Sequence, residues 1–159
     1  MSTVLQTIVE KKHYKFIDSV DTWQEAVKLS TESLIADGSV APDYYEQIVR
    51  CITKYGPYVV YDDYVAMPHS QENAEGVYQT GIGFMRVKEP VDFGCDEDGE
   101  RKLAKLFFTI ASCNPDQHID NITQLMGIFQ NTPLLHALAE ANTPEDILAA
   151  EKAYPCVEE

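Results

Sequence analysis

Basic residues are scarce in this chain: 12 lysines and arginines stand against 26 aspartates and glutamates, a formal net charge of −14 over 159 residues. A surface that negative repels phosphate backbones and anionic lipid, which argues against a nucleic-acid or membrane-surface binder and favours a partner with a basic face. Long apolar runs are missing as well; none approaches the ~20 residues that a membrane-spanning helix needs. Cysteine is sparse, and Cys51, Cys95, Cys113 and Cys156 follow neither a CxxC pattern nor zinc-ligand spacing. The first stretch, "MSTVLQTIVEKKHYKF", has no long apolar segment and no cleavage pattern. The expectation is a cytoplasmic protein with reduced thiols that neither inserts into a membrane nor binds nucleic acid. There is no P-loop and no GxSxG, and the glycines of "TGIGF" lie inside a strand pattern rather than in a phosphate-cradling turn. The acidic run "CDEDGE" at 95–100 lacks the ligand spacing and distal Glu of an EF-hand and reads as a solvated loop.

What is present suffices for one domain, 1–159, with a real core: 45% of the residues are apolar. "DTWQEAVKLSTESLIADG" (21–38) reads as a helix, with Asp21 placed to cap, Gln24 to reach back, and Gly38 to stop it. Trp23, Ala26, Val27, Ser30 and Leu34 share one face. "PDYYEQIVRCITKYG" (42–56) is a second helix, Pro42 in its first turn, with Tyr45, Ile48, Val49 and Ile52 as the buried stripe. The segments 58–61, 64–67, 80–87 and 105–112 are short and rich in β-formers and are read as strands. Helical spacing returns at 116–131 through Ile119, Ile122, Leu125, Met126 and Phe129. "PLLHALAEAN" follows as a short helix, and a last one is capped by Thr143 with Pro144 at its first position. Helices before, between and after strands predict a single layered α/β domain.

Four histidines are the chemical candidates. His13 lies in a basic, polar stretch and is expected at the surface; His136, on the short helix, is expected to be structural or exposed. His69 is different. It follows "YVAMP", and Pro68, which cannot donate a backbone hydrogen bond, tends to end a central strand and hold the next residue at a strand-to-loop junction. A neutral imidazole there is a nucleophile at neutral pH, with Ser70 beside it to bond an incoming anion. His118, in "SCNPDQHIDNITQL", falls in the first turn of a helix that follows a strand, where backbone N–H groups favour anions. Two such strand-end sites could face one another at one sheet edge, or His118 could lie on the solvated side of its helix. A zinc site from His69, His118 and a carboxylate has no HExxH-like spacing behind it.

Taken in order, "DTWQEAV", "PDYYEQIV", "YGPYVV", "VAMPHS", "QTGIGFMRVKEPVDFG" and "NPDQHIDNITQLMGIFQN" carry a resemblance that runs from about residue 20 to about residue 153. The chain resembles the cytoplasmic enzyme IIA components of the bacterial phosphoenolpyruvate-dependent sugar phosphotransferase system (PTS), in the mannitol/fructose class and its ascorbate-type branch. The resemblance implies a three-layer fold, a mixed β-sheet flanked by helices on both sides, and no dissociable cofactor. It implies that His69, in the Pro-His motif, accepts a phosphoryl group from the phosphocarrier protein HPr. His69 would then pass it to a cysteine of enzyme IIB, which serves the membrane component IIC. The second family histidine falls on His118, expected to stabilise the phosphoryl group. Ser70 stands where a small residue is usual and is expected to fit there and bond the phosphate. The arginine that mannitol-type relatives carry before the Pro-His strand has no clear counterpart; Arg50 and Lys54 both stand in the comparable stretch. The transported sugar, L-ascorbate or a related sugar acid or pentose, rests on the resemblance alone. The rival is a stand-alone regulatory relative whose phosphorylation state controls protein partners.

Overall fold

In the run "RKLAKLFFTIA", Leu106, Phe108 and Ile110 point to one side of the strand and Phe107, Thr109 and Ala111 to the other, and all six are buried. A strand buried on both faces needs a helical layer above and below it. The computed structural model describes residues 3–61, 64–69, 76–112 and 115–155, with the backbone alone at 115–118, and it places this strand third of five. The strands are β1 (Tyr14–Ile17), β2 (Val60–Tyr61), β3 (Val65–Ala66), β4 (Gly81–Cys95) and β5 (Arg101–Ala111), in the order β1-β4-β5-β3-β2. β1 runs parallel to β4 and β3 parallel to β5, whereas β4–β5 and β2–β3 are antiparallel. The sheet is therefore mixed.

One face is covered by α1 (Val4–Glu10), α4 (Pro115–Phe129), α5 (Thr132–Ala139) and α6 (Pro144–Ala153). Leu5, Ile8, Leu125, Leu134 and Ile147 pack there against Phe84 and Phe108. The other face carries α2 (Trp23–Ala36) and α3 (Tyr44–Tyr55), whose Val27, Leu34, Ile48 and Ile52 meet Met85, Val87 and Phe107. The expected three-layer arrangement is thus what the chain adopts. On the α2 side, Gly83 lets the helix approach: a Cβ there would stand 3.3 Å from the Ser30 carbonyl. Thr109 donates to Ser30 Oγ at 2.8 Å across the same contact.

Several boundaries differ from the sequence reading. Thr22, not Asp21, caps α2, its hydroxyl accepting from the Glu25 amide. Tyr44 and Cys51 join Ile48 and Ile52 in the buried stripe of α3, leaving Tyr45 and Val49 half-buried; Pro42 lies before the helix. α1 and β1 were not anticipated. A seven-residue helix is too short to display a repeating apolar face, but a Thr3–Gln6 capping box starts it. β4 runs well past its expected end through Pro90, which the sheet tolerates at a register shift between Arg86 and Val91. β2 and β3 are shorter than expected. The acidic stretch is the turn of the β4–β5 hairpin, where Asp96 Oδ1 accepts from the amides of Asp98 and Glu100, each at 2.9 Å. The amide of Glu100 above all holds the Asp96 carboxyl below its ordinary range. Among the described residues no helix is long and apolar enough to cross a membrane.

The topology sets up the site. β3 and β5 are parallel neighbours, so their carboxyl ends lie at one end of the sheet. β4 begins there too, with Gly81 opposite Ala111.

Candidate functional site

At that end β3 gives out. Met67 still donates to the Val59 carbonyl at 2.8 Å, but Pro68 has no N–H to offer. The Pro68 carbonyl still accepts from the Ile110 amide of the neighbouring strand at 2.9 Å. His69 comes next, half-buried, as the expected display at a strand end. Its Nδ1 lies 2.6 Å from the Met67 carbonyl. A carbonyl only accepts, so Nδ1 carries the proton and donates, and the neutral ring bears its lone pair on Nε2.

A residue that the sequence reading took only as strand material surrounds this histidine. Tyr58 sets its ring edge-on to the imidazole, centroids 5.2 Å apart at 89°, and its hydroxyl donates to the His69 carbonyl. Burial, reinforced by neighbouring Cys51, pushes the Tyr58 phenol well above the ordinary tyrosine range, so it stays protonated and can only donate outward to that carbonyl. Tyr55 packs edge-on against Tyr58 at 6.4 Å and is 46% exposed. One strand over, the buried Tyr44 hydroxyl donates to the Ile110 carbonyl at 2.9 Å. No local motif marks Tyr58; "YGPY" signals a turn at Gly56, whose φ is +85°, and nothing about its partners.

His118 is the fourth residue of α4, the helix that follows β5, so its backbone stands at the same end of the sheet as His69. Its side chain and the whole of Ser70 lie outside the described residues. The apolar stripe expected on α4 holds for Leu125, which is buried, and for Ile122, Met126 and Phe129, which pack against the core. It fails at Ile119, which is 62% exposed in the first turn. Of the two candidates for the missing arginine, Arg50 is exposed on α3 and Lys54 sets its ammonium 5.0 Å from the Tyr55 ring centre.

His13 is a correction. Far from lying on the surface it is 2% exposed, and its Nε2 bonds the Asp37 carboxylate at the end of α2. Lys12 takes the left-handed conformation, φ +59°, which turns the chain inward after α1 and buries the histidine between charged neighbours. His136 is exposed on α5, within its expected range. A cleft of about 320 Å³ lined by Lys11, His13, Thr80, Asp120, Asn121 and Gln124 separates α1 from α4.

A mixed sheet between helical layers, showing a histidine where one parallel strand ends and a helix start where its neighbour ends, defines a small α/β protein with a candidate site at one end of its sheet. Comparison places it further. The family model described as "Phosphoenolpyruvate-dependent sugar phosphotransferase system, EIIA 2" matches residues 7–152, and the chain belongs to that family. The ascorbate-specific PTS system EIIA component of Escherichia coli K12 is 29% identical over 143 residues, covering 89% of this chain and 90% of that relative. The crystal structure of the PTS IIA protein PtxA from Streptococcus mutans superposes with a TM-score of 0.82 at 30% identity, covering 99% of this chain and 100% of that one. The mannitol enzyme IIA of Escherichia coli, solved in complex with phosphorylated mannitol enzyme IIB, gives a TM-score of 0.72 at 26% identity over 89% and 95% of the two chains. The chain is a phosphocarrier component of a sugar PTS, and it is similar in sequence to the ascorbate-specific components. Proteins of its kind work with an enzyme IIB partner, as that complex illustrates.

Proposed function

We propose that His69 takes a phosphoryl group on Nε2 from phospho-HPr and passes it to a cysteine of enzyme IIB, in the cytoplasm, for uptake of L-ascorbate or a related sugar acid or pentose through a IIC component. The observation that carries this reading is the hydrogen bond from Nδ1–H to the Met67 carbonyl. It holds the imidazole in the tautomer whose Nε2 lone pair can attack phosphorus in line, forming the N–P bond as the bond to the donor breaks. The ring then gains positive charge, which the Met67 carbonyl oxygen offsets, and the proton stays on Nδ1 throughout. In the second half-reaction the thiolate of the partner attacks the same phosphorus and the electron pair returns to Nε2. A near-balanced relay needs alignment and modest charge stabilisation rather than a deep anion trap. His118, in the first turn of α4, is assigned the stabilisation of the phosphoryl oxygens together with the helix N-terminus, and Ser70 a hydrogen bond to them. The ascorbate-specific name of the similar Escherichia coli protein supports the cargo.

The test is phosphoryl transfer in a purified mixture of phosphoenolpyruvate, enzyme I and HPr, followed by intact mass. Wild type is expected to gain one acid-labile phosphate, His69→Ala none, and His118→Ala to be slowed in onward transfer to IIB. An undiminished signal in His69→Ala would sink the assignment. Phosphorylation that no IIB cysteine can discharge would move the protein to the regulatory class.

A further inference from the structure

We infer that Tyr58 is a positioning residue for His69, acting through its hydroxyl on the histidine's own carbonyl and through its ring on the imidazole; this rests on the reading of His69 as phosphoryl acceptor. Two independent contacts converge on one side chain. The hydroxyl donates to the His69 carbonyl, and the ring stands edge-on to the imidazole at 5.2 Å. The first restrains the backbone of the residue that follows Pro68. The second restrains rotation of the ring about χ2. Together they keep Nδ1 over the Met67 carbonyl, and so keep the lone pair on Nε2.

The neighbouring strand is fastened in the same way. Tyr44 donates to the Ile110 carbonyl, while the Ile110 amide donates to Pro68. Tyr44 thus ties the strand that leads to α4, whereas Tyr58, in the loop after α3, ties His69 itself. A loop with only a proline and a short strand behind it would let the imidazole sample both tautomers and several rotamers. Only one of these presents Nε2 outward.

The experiment compares wild type, Tyr58→Phe, Tyr44→Phe and His69→Ala. Three quantities are read: the His69 tautomer from 15N spectra, the single-turnover rate of phosphoryl uptake from phospho-HPr against donor concentration, and the thermal midpoint. Tyr58→Phe is expected to lower the fraction of Nδ1–H tautomer and to slow uptake at saturating donor about tenfold, with the half-saturating donor concentration unchanged. Tyr44→Phe should cost similar stability and leave the tautomer alone. Tyr58→Phe with a wild-type tautomer and rate, whatever its midpoint, overturns the inference and leaves the hydroxyl a purely structural tie. In unsubstituted protein the Tyr58 hydroxyl proton should exchange slowly and show cross-peaks to His69, and a rapidly exchanging proton there also overturns it. Phosphate uptake by His69→Ala would instead defeat the reading of His69, so the two failures are told apart.

Discussion

Replacing Asp37 by alanine leaves a buried donor without its acceptor, and the cost can be set from the geometry. His13 is 2% exposed, and the Asp37 carboxylate is the partner that its Nε2 bonds. A buried donor stripped of its partner costs about 1–3 kcal/mol. The charge part of the interaction is screened, since the Asp37 side chain is 35% exposed; the loss is carried by the burial of His13. For a chain of this size each kcal/mol moves the thermal midpoint by roughly 2–4 °C, so Asp37→Ala should melt about 2–12 °C lower. Urea denaturation at neutral pH should show a reduced midpoint with an unchanged slope. Asp21→Ala, at an exposed carboxylate that caps nothing, should stay within about 0.5 kcal/mol of wild type. The pH dependence follows from the direction of the shift. Desolvation works to raise the Asp37 carboxyl, but hydrogen bonds from Ser39 and His13 outweigh it and hold the group below its ordinary value of 3.8. A carboxyl depressed in the folded state contributes stability that is present above its unfolded pKa and lost as pH falls through the folded one. The gap between wild type and Asp37→Ala should therefore be full at pH 5–7 and close below about pH 3.8. Equal urea midpoints at pH 7 would refute the reasoning.

Two further outcomes are expected. Gly76→Ala should destabilise by about 2 kcal/mol or more, because Gly76 has φ +78° and a Cβ there would stand 2.8 Å from the Ala41 Cβ; an unchanged melting curve would show that the turn relaxes freely. With a formal net charge of −14, phosphoryl transfer from HPr should slow several-fold as ionic strength rises and the screening length shrinks from about 30 to about 8 Å; a rate indifferent to salt would remove electrostatic docking from the account.

Legibility in the sequence tracked how local each cause was. α2 and α6 announce themselves through caps and stops a few residues apart, and Thr143 caps α6 as anticipated by accepting from the Asp146 amide. The strand end at Pro68 was readable because the cause, a missing N–H, is a property of one residue. β1 and the second half of β4 were not readable. The first is a four-residue edge strand, half-buried throughout, and the second crosses Lys88, Glu89 and Pro90, which look like a loop until the register shift is known. His13 was misjudged because its neighbours Lys11 and Lys12 are exposed, and burial is decided by one left-handed residue. Tyr58 was invisible for a further reason: His69, eleven residues on, is brought to it only when the chain folds back through β3. The fold class was legible in pattern, and the backbone of His118 lies at the sheet end where its helix was expected to begin. The tyrosines that hold the site exist only in three dimensions.

The long β4–β5 hairpin has a consequence for how such a protein can be built into larger assemblies. Its turn at 96–100 sits at the end of the sheet opposite His69: β5 leaves the turn at Arg101 and is level with Pro68 only at Ile110. At about 3.3 Å per residue that is roughly 30 Å of β-ribbon between the two ends. Cargo spliced into this acidic, exposed turn, whether a fluorescent reporter or a tethering module, would ride on a stalk pointing away from the proposed site at His69. Partners could then come and go at the other pole without meeting it.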